Sequence, residues 1–142
     1  MEHNNSQEEA AARAGQAMKR LNEGDRFCQH CGIRLTSVGE GCATGVMPLT
    51  EQLLNGWQAA QGGAIFTLAD FTFAGAANSY GGLWVVQNAS IAFVRPGLGS
   101  ELRAEAVIRY IGRRSCMGDV RITNDAGKLV AQAQYTGCLV GE

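Results

Sequence analysis

A chain of 142 residues has room for one domain around one hydrophobic core and none for a second. With 12 Lys and Arg against 13 Asp and Glu, the formal charge is −1. That is too small a field to draw in nucleic acid or an anionic membrane surface. The 5 cysteines are odd in number and scattered, unlike the disulfide framework of a small secreted chain. The polar N-terminus also lacks the apolar core of an export signal, so a cytoplasmic protein with reduced thiols is expected.

The Asn- and Ser-rich start is expected to be disordered up to about Gln7. EEAAARAGQAMKRLNEGDRFCQHCG follows, rich in good helix formers, and predicts one or two helices ahead of the core. The expected division is a tail and helix over 1–22 and the domain proper over 23–142. Phe27-Cys28-Gln29-His30-Cys31-Gly32 looks like half a zinc ribbon. A structural zinc needs four ligands, however, and Cys42, Cys116 and Cys138 stand singly, so no metal is expected. IRLTSVGEGCATGVMPLT predicts a two-stranded hairpin turning near Gly39 to Gly41.

LNGWQAAQGG is a Gly-punctuated loop that opens onto AIFTLADFTFAGAANSYGG, a segment apolar on nearly every face. Such a helix must be surrounded by protein, and it is shorter than the ~20 residues a membrane span requires. Glycine after Asn78-Ser79-Tyr80 suits the left-handed closure of a helix. The periodicity then falls to two. LWVVQNASIAFVRP reads as a strand stopped by Pro96, and ELRAEAVIRYIGRR alternates Leu102, Ala104, Ala106, Ile108 and Tyr110 against Arg103, Glu105 and Arg109. SCMGDVRIT and KLVAQAQYTGCLV form an antiparallel pair through Asn124-Asp125-Ala126-Gly127. Runs of strands rather than strand–helix alternation indicate an α+β domain. The expectation is a curved antiparallel sheet of about six strands, the last four in a meander, wrapped around one long central helix.

Between Glu51 and Arg95, Asp70 is the only Asp, Glu, Lys, Arg or His. Burying a carboxylate in an apolar helix costs several kcal/mol unless it neutralises or finds hydrogen bonds. Desolvation raises its pKa and its reactivity when ionised, as a general base or nucleophile requires. The bland alternative is a crevice carboxylate accepting backbone hydrogen bonds. Gln61-Gly62-Gly63 opens the helix, and free N–H groups there suit an oxyanion or phosphate; close packing is the equal alternative. Gly62 and Asp70 are separated by roughly 12 Å of helical rise, too far to hold one carbonyl. If they cooperate, the site is shared between the two subunits of a dimer.

LNGWQAAQGGAIFTLADFTFAGAANSYGG resembles the signature of PaaI-type (phenylacetate-pathway) hotdog thioesterases: an Asn-Gly loop, His-Gly-Gly, and a helix carrying Leu-Ala-Asp. IAFVRPGLGSELRAEAVIRYIGRR continues the likeness. The resemblance implies a single hotdog domain, a homodimer paired into a homotetramer, and hydrolysis of a small acyl-CoA without a cofactor. Asp70 would be nucleophile or base, the Gly62 N–H the oxyanion donor, and Asn55 an organiser of the loop. Gln61 replaces the family histidine and can donate a hydrogen bond but not relay a proton near neutrality. Trp57 replaces a second histidine and points to a short or planar acyl group. Gly63 and Trp57 are the candidate substrate contacts, with Arg95, Arg113 and Arg114 candidates for the CoA phosphates. A hydratase is disfavoured because His3 and His30 precede the core. A non-catalytic acyl-CoA binder is the alternative from another class, kept open by Gln61.

Overall fold

The computed structural model describes residues 2–142. Helix α1 (Glu2–Gly24) and the short α2 (Arg26–Cys31) precede the hairpin of β1 (Arg34–Gly39) and β2 (Cys42–Pro48). A 3-10 turn (Glu51–Leu53) and a loop lead to α3 (Gly62–Asn78). The chain then forms β3 (Leu83–Phe93), β4 (Glu101–Ile111), β5 (Ser115–Thr123) and β6 (Leu129–Gly141). All six strands make one antiparallel sheet in the order β1-β2-β4-β5-β6-β3.

The core lies between the sheet and α3, where Leu68, Ala69, Phe73 and Ala76 are buried against Leu102, Val120 and Ile122. Glycines let the helix settle close. Gly45 of β2 faces the Thr72 hydroxyl, and Gly118 and Gly137 form the floor beneath the Phe73 ring. A side chain at Gly118 would lie 2.6 Å from the Val107 carbonyl and 3.1 Å from that ring. Tyr135 stacks on Phe73 with centroids 5.0 Å apart and planes 18° apart, completing an aromatic layer under the helix.

Three expectations are corrected. The last four strands are not a meander: β4, β5 and β6 follow in order, but β3 pairs with β6 at the far edge. Strand periodicity reports which residues extend, not their partner. After β3 the chain crosses the end of the sheet through Pro96 to Gly99, tied by Val94 N–H to Val130 O (2.8 Å) and Ala60 N–H to Gly97 O (2.8 Å). Residues 2–7 belong to α1 rather than a disordered tail. Asn and Ser lose only a few tenths of a kcal/mol each in a helix, which a long Ala-rich segment carries. Tyr110 is 55% exposed, not inward. A bulge between Ile108 and Tyr110 shifts the register and reverses the alternation.

The two edges of the sheet differ. At β1, the Asn22 amide of α1 donates to Leu35 O (2.9 Å) and accepts from Leu35 N–H (2.8 Å), so a side chain stands where a strand would. At β3 the outer side has no partner strand, and Leu83, Val85 and Phe93 are exposed along it. The loop glycines past α3 do take left-handed geometry, Gly81 at φ 87° and Gly82 at φ 80°.

Candidate active site

The start of α3 is built by its own side chains. Gln61 is the N-cap, extended at φ −66° and ψ 138°, and its Oε1 accepts from Ala64 N–H at 3.2 Å. Gly63 makes that possible, because a Cβ there would stand 2.7 Å from Gln61 Oε1. The Gly62 and Gly63 amides, at the first two helical positions, take no acceptor among the described residues. Two donors with positive dipole character are therefore left free.

The preceding loop is organised by Asn55. Its Oδ1 accepts from Trp57 N–H (2.9 Å) and Ala59 N–H (3.2 Å), and its backbone N–H donates to Ala59 O (2.7 Å). The fold-back forces Gln58 to φ 62°, a left-handed strain in a residue other than glycine. Trp57 is thereby thrust outward, 87% exposed. Asn55, Trp57, Gly62, Phe93 and Arg95 line a hollow of about 410 Å³. Gln61 and Gly63 face away from it, into a separate hollow shared with Phe27, His30 and Cys31.

Asp70 lies two turns further along α3, half-buried, in a pocket of about 230 Å³ with Phe73, Ala74, Ala77, Trp84, Val85 and Val86. Burial pushes its carboxyl above the usual range, and the nearby Asp25 charge raises it further, with no hydrogen bond to offset either. Asp25 caps α2 by accepting from Cys28 N–H at 2.9 Å. Within one protomer the Gly62 hollow and the Asp70 pocket share no lining residue.

The three arginines separate. Arg95 lines the Gly62 hollow and donates to Leu129 O at 2.7 Å. Arg113 and Arg114 line another hollow with Leu139 to Glu142, at the opposite end of the β3–β6 pair. One protomer therefore does not gather them around one phosphate group. Cys28 and Cys31 are core residues whose thiols burial pushes up. Among the described residues no group of three or more His, Cys, Asp or Glu is placed to hold a metal, and no helix is long and apolar enough to cross a membrane.

Sequence reasoning missed Asp25, Phe93 and His30. Asp25 announces itself as a cap two residues after Glu23, but its proximity to Asp70 is tertiary. Phe93 reads as one more strand residue until Gly62 is found 3.5 Å from its ring at the Cβ position. His30 precedes the core in sequence yet lines the hollow that Gln61 faces, because α2 packs on the start of α3.

A sheet curled around one helix, with a half-buried carboxylate on that helix and free glycine amides at its start, defines a hotdog-fold domain. The model of the thioesterase superfamily matches residues 60–131. The acyl-coenzyme A thioesterase PaaI of Escherichia coli (strain K12) is 39% identical over 120 residues, 84% of this chain and 86% of that protein. The solved structure of the E. coli PaaI protein from the phenylacetic acid degradation operon superposes with a TM-score of 0.89 at 35% identity, covering 93% and 96% of the two chains. A Streptococcus mutans protein bound to acetyl CoA is similar at TM-score 0.73 and 29% identity, covering 78% and 90%. A hypothetical thioesterase with coenzyme A from Streptococcus pneumoniae is similar at TM-score 0.80 and 26% identity, covering 89% and 98%. The chain belongs to the thioesterase superfamily, as a thioester hydrolase of the PaaI type.

Proposed function

We propose that the chain hydrolyses a small, short-chain or aromatic acyl-CoA to the free acid and CoA, at a site shared by two copies of itself. One observation carries this reading: the free Gly62 amide and the half-buried Asp70 carboxylate open into different hollows of one protomer, both bordered by the unpartnered strand β3. Two copies paired antiparallel along β3 bring Phe93 and Gly62 of one toward Val85 and Asp70 of the other. The Gly62 N–H then polarises the thioester carbonyl, and Asp70 attacks the carbon or takes a proton from the attacking water. Thiolate leaves as CoA and water supplies the hydroxyl of the acid, so no cofactor is needed. The relatives named for acyl-CoA hydrolysis or solved with CoA support the choice of thioester.

Gln61 acts as a positioning residue in this scheme, its Oε1 holding the first turn through Ala64 N–H so that the Gly62 amide stays free at the helix start. Trp57 and Arg95 border the path of the CoA arm, with Trp57 narrowing the entrance against bulky acyl groups. Arg113 and Arg114 stand too far from Gly62 in one chain, and meet CoA only from a neighbouring subunit. The working unit is a homodimer, doubled into a homotetramer, acting in the cytoplasm. The reading of a non-catalytic binder draws on Gln61, whose oxygen is committed to the cap.

The test is a panel of acyl-CoAs read by release of free thiol, with wild type and Asp70→Asn. An enzyme turns over acetyl-, phenylacetyl- or benzoyl-CoA faster than long-chain thioesters, and Asp70→Asn binds substrate without cleaving it. Absence of turnover across the panel supports the binder, and an unimpaired Asp70→Asn removes Asp70 from the chemistry.

A further inference from the structure

Phe66, Asp70 and Phe73 follow the i, i+4, i+7 spacing that sets them in one stripe along α3. Tyr135 of β6 lies under that stripe. Its ring stacks on Phe73 with centroids 5.0 Å apart and tilts against Phe66 at 6.0 Å, so it bridges the two residues that flank Asp70. Tyr135 is buried, and its hydroxyl donates to Phe66 O at 3.5 Å, long for an O–H···O bond. Helical side chains lean toward the N-terminus, which carries the Asp70 carboxyl back toward the Phe66 turn where this hydroxyl sits.

The other donors nearby are committed. Trp84 Nε1 donates to Gly81 O at 3.0 Å, and the Asn78 amide donates to Ala74 O (2.9 Å) and Trp84 O (3.1 Å). The remaining walls of the Asp70 pocket are aliphatic or phenyl side chains with nothing to donate. Asp25, from the turn between α1 and α2, repels a charge on Asp70; Cys28 of α2 and Cys116 of β5 are thiols that burial pushes up. Arg13 and Arg20 of α1 border the adjoining hollow past Ala74. β1, β2 and β4 pack on α3 through apolar residues such as Leu35, Ala43 and Leu102. Burial, and after it the Asp70 charge, holds the Tyr135 hydroxyl protonated, so it remains a donor across the working pH range.

Resting on the reading of Asp70 as the reacting carboxylate, we propose that Tyr135 is a positioning residue whose hydroxyl turns from Phe66 O to donate to the ionised Asp70 carboxylate. The ring stays pinned between two phenylalanines while the hydroxyl hydrogen and the carboxyl rotamer move. This bond favours the charged form against burial and the Asp25 repulsion, and it fixes which oxygen faces the thioester.

The experiment is Tyr135→Phe, which keeps the stacked ring and removes the donor, with Tyr110→Phe on exposed Tyr110 as the control. The Asp70 carboxyl is titrated by carbon-13 NMR in the full chain, and kcat and KM for phenylacetyl-CoA are followed against pH. In Tyr135→Phe the Asp70 pKa and the acid limb of kcat/KM should both rise by about one pH unit. On the plateau kcat should fall about tenfold with KM within about twofold, the pattern of lost orientation rather than lost binding. Tyr110→Phe should behave as wild type. An unchanged Asp70 pKa in Tyr135→Phe overturns the proposal whatever the turnover, and so does a raised pKa with full kcat. A raised pKa in a chain that cleaves no acyl-CoA as wild type upholds the contact and removes the hydrolase reading instead.

Discussion

At the scale of single residues, the role proposed for Asp70 sets reactivity against stability. A carboxyl whose folded pKa is raised above its ordinary 3.8 weakens the fold above that folded pKa and ceases to do so below the unfolded one. Asp70→Asn should therefore raise Tm at pH 7, by about 2 °C after allowing for solvent screening. The gain should vanish as pH falls toward 4, while turnover drops about a thousandfold. Thermal scans at both pH values check the sign; a lower Tm at pH 7 would mean the carboxylate holds the helix in place. Asp25 gives a second handle. Asn at that position keeps the cap on α2 but removes a charge that raises Asp70. The acid limb of kcat/KM against pH should move to lower pH in Asp25→Asn, with the alkaline side unchanged. Asn55→Ala deletes two loop hydrogen bonds. It should cut kcat/KM by about tenfold or more through the Gly62 hollow at a stability loss of about 1–2 kcal/mol.

Elements were legible where a single segment decides them. The isolation of one charge in an apolar run located both the central helix and its carboxylate, since no other reading satisfies an all-round apolar pattern in water. The glycine pair at the helix entrance was equally local, whereas the loop asparagine was reached through the family resemblance and the capping role of Gln61 was not read. What escaped was contact between segments: that Gln61 turns toward α2, that Asp25 lies near Asp70, and that a bulge exposes Tyr110. The seating of α3 on glycines is also tertiary, and it is testable. Gly118→Ala sets a methyl against the Val107 carbonyl and the Phe73 ring. It should destabilise the fold by about 1–3 kcal/mol in urea denaturation. Were it neutral, the sheet would have to yield at β4, and the close approach would not be what holds the helix.

At the scale of the molecule, the fold class was readable from the succession of elements, but strand order was not, because alternation carries no address. For the proposed shared site, the displacement of β3 to the edge is the part that matters, since it puts both halves of the candidate site on one exposed border. Ser90, exposed just past the middle of β3, offers the test. Aspartate there is repeated across a two-fold axis, so like charges meet. Ser90→Asp should shift sedimentation toward the monomer and lower specific activity about tenfold at low protein concentration. A fully active monomer would refute the shared site.

The amide of Asn22 has an effect well beyond α1. By occupying Leu35 it leaves the sheet with a single border able to accept another strand, so growth by strand addition terminates after one event. In the proposed pairing along β3, two protomers exhaust each other's capacity, and a ribbon of indefinite length has nowhere to continue. Asn22→Ala should restore the second border and show itself as concentration-dependent fibrous or high-molecular-weight material in light scattering.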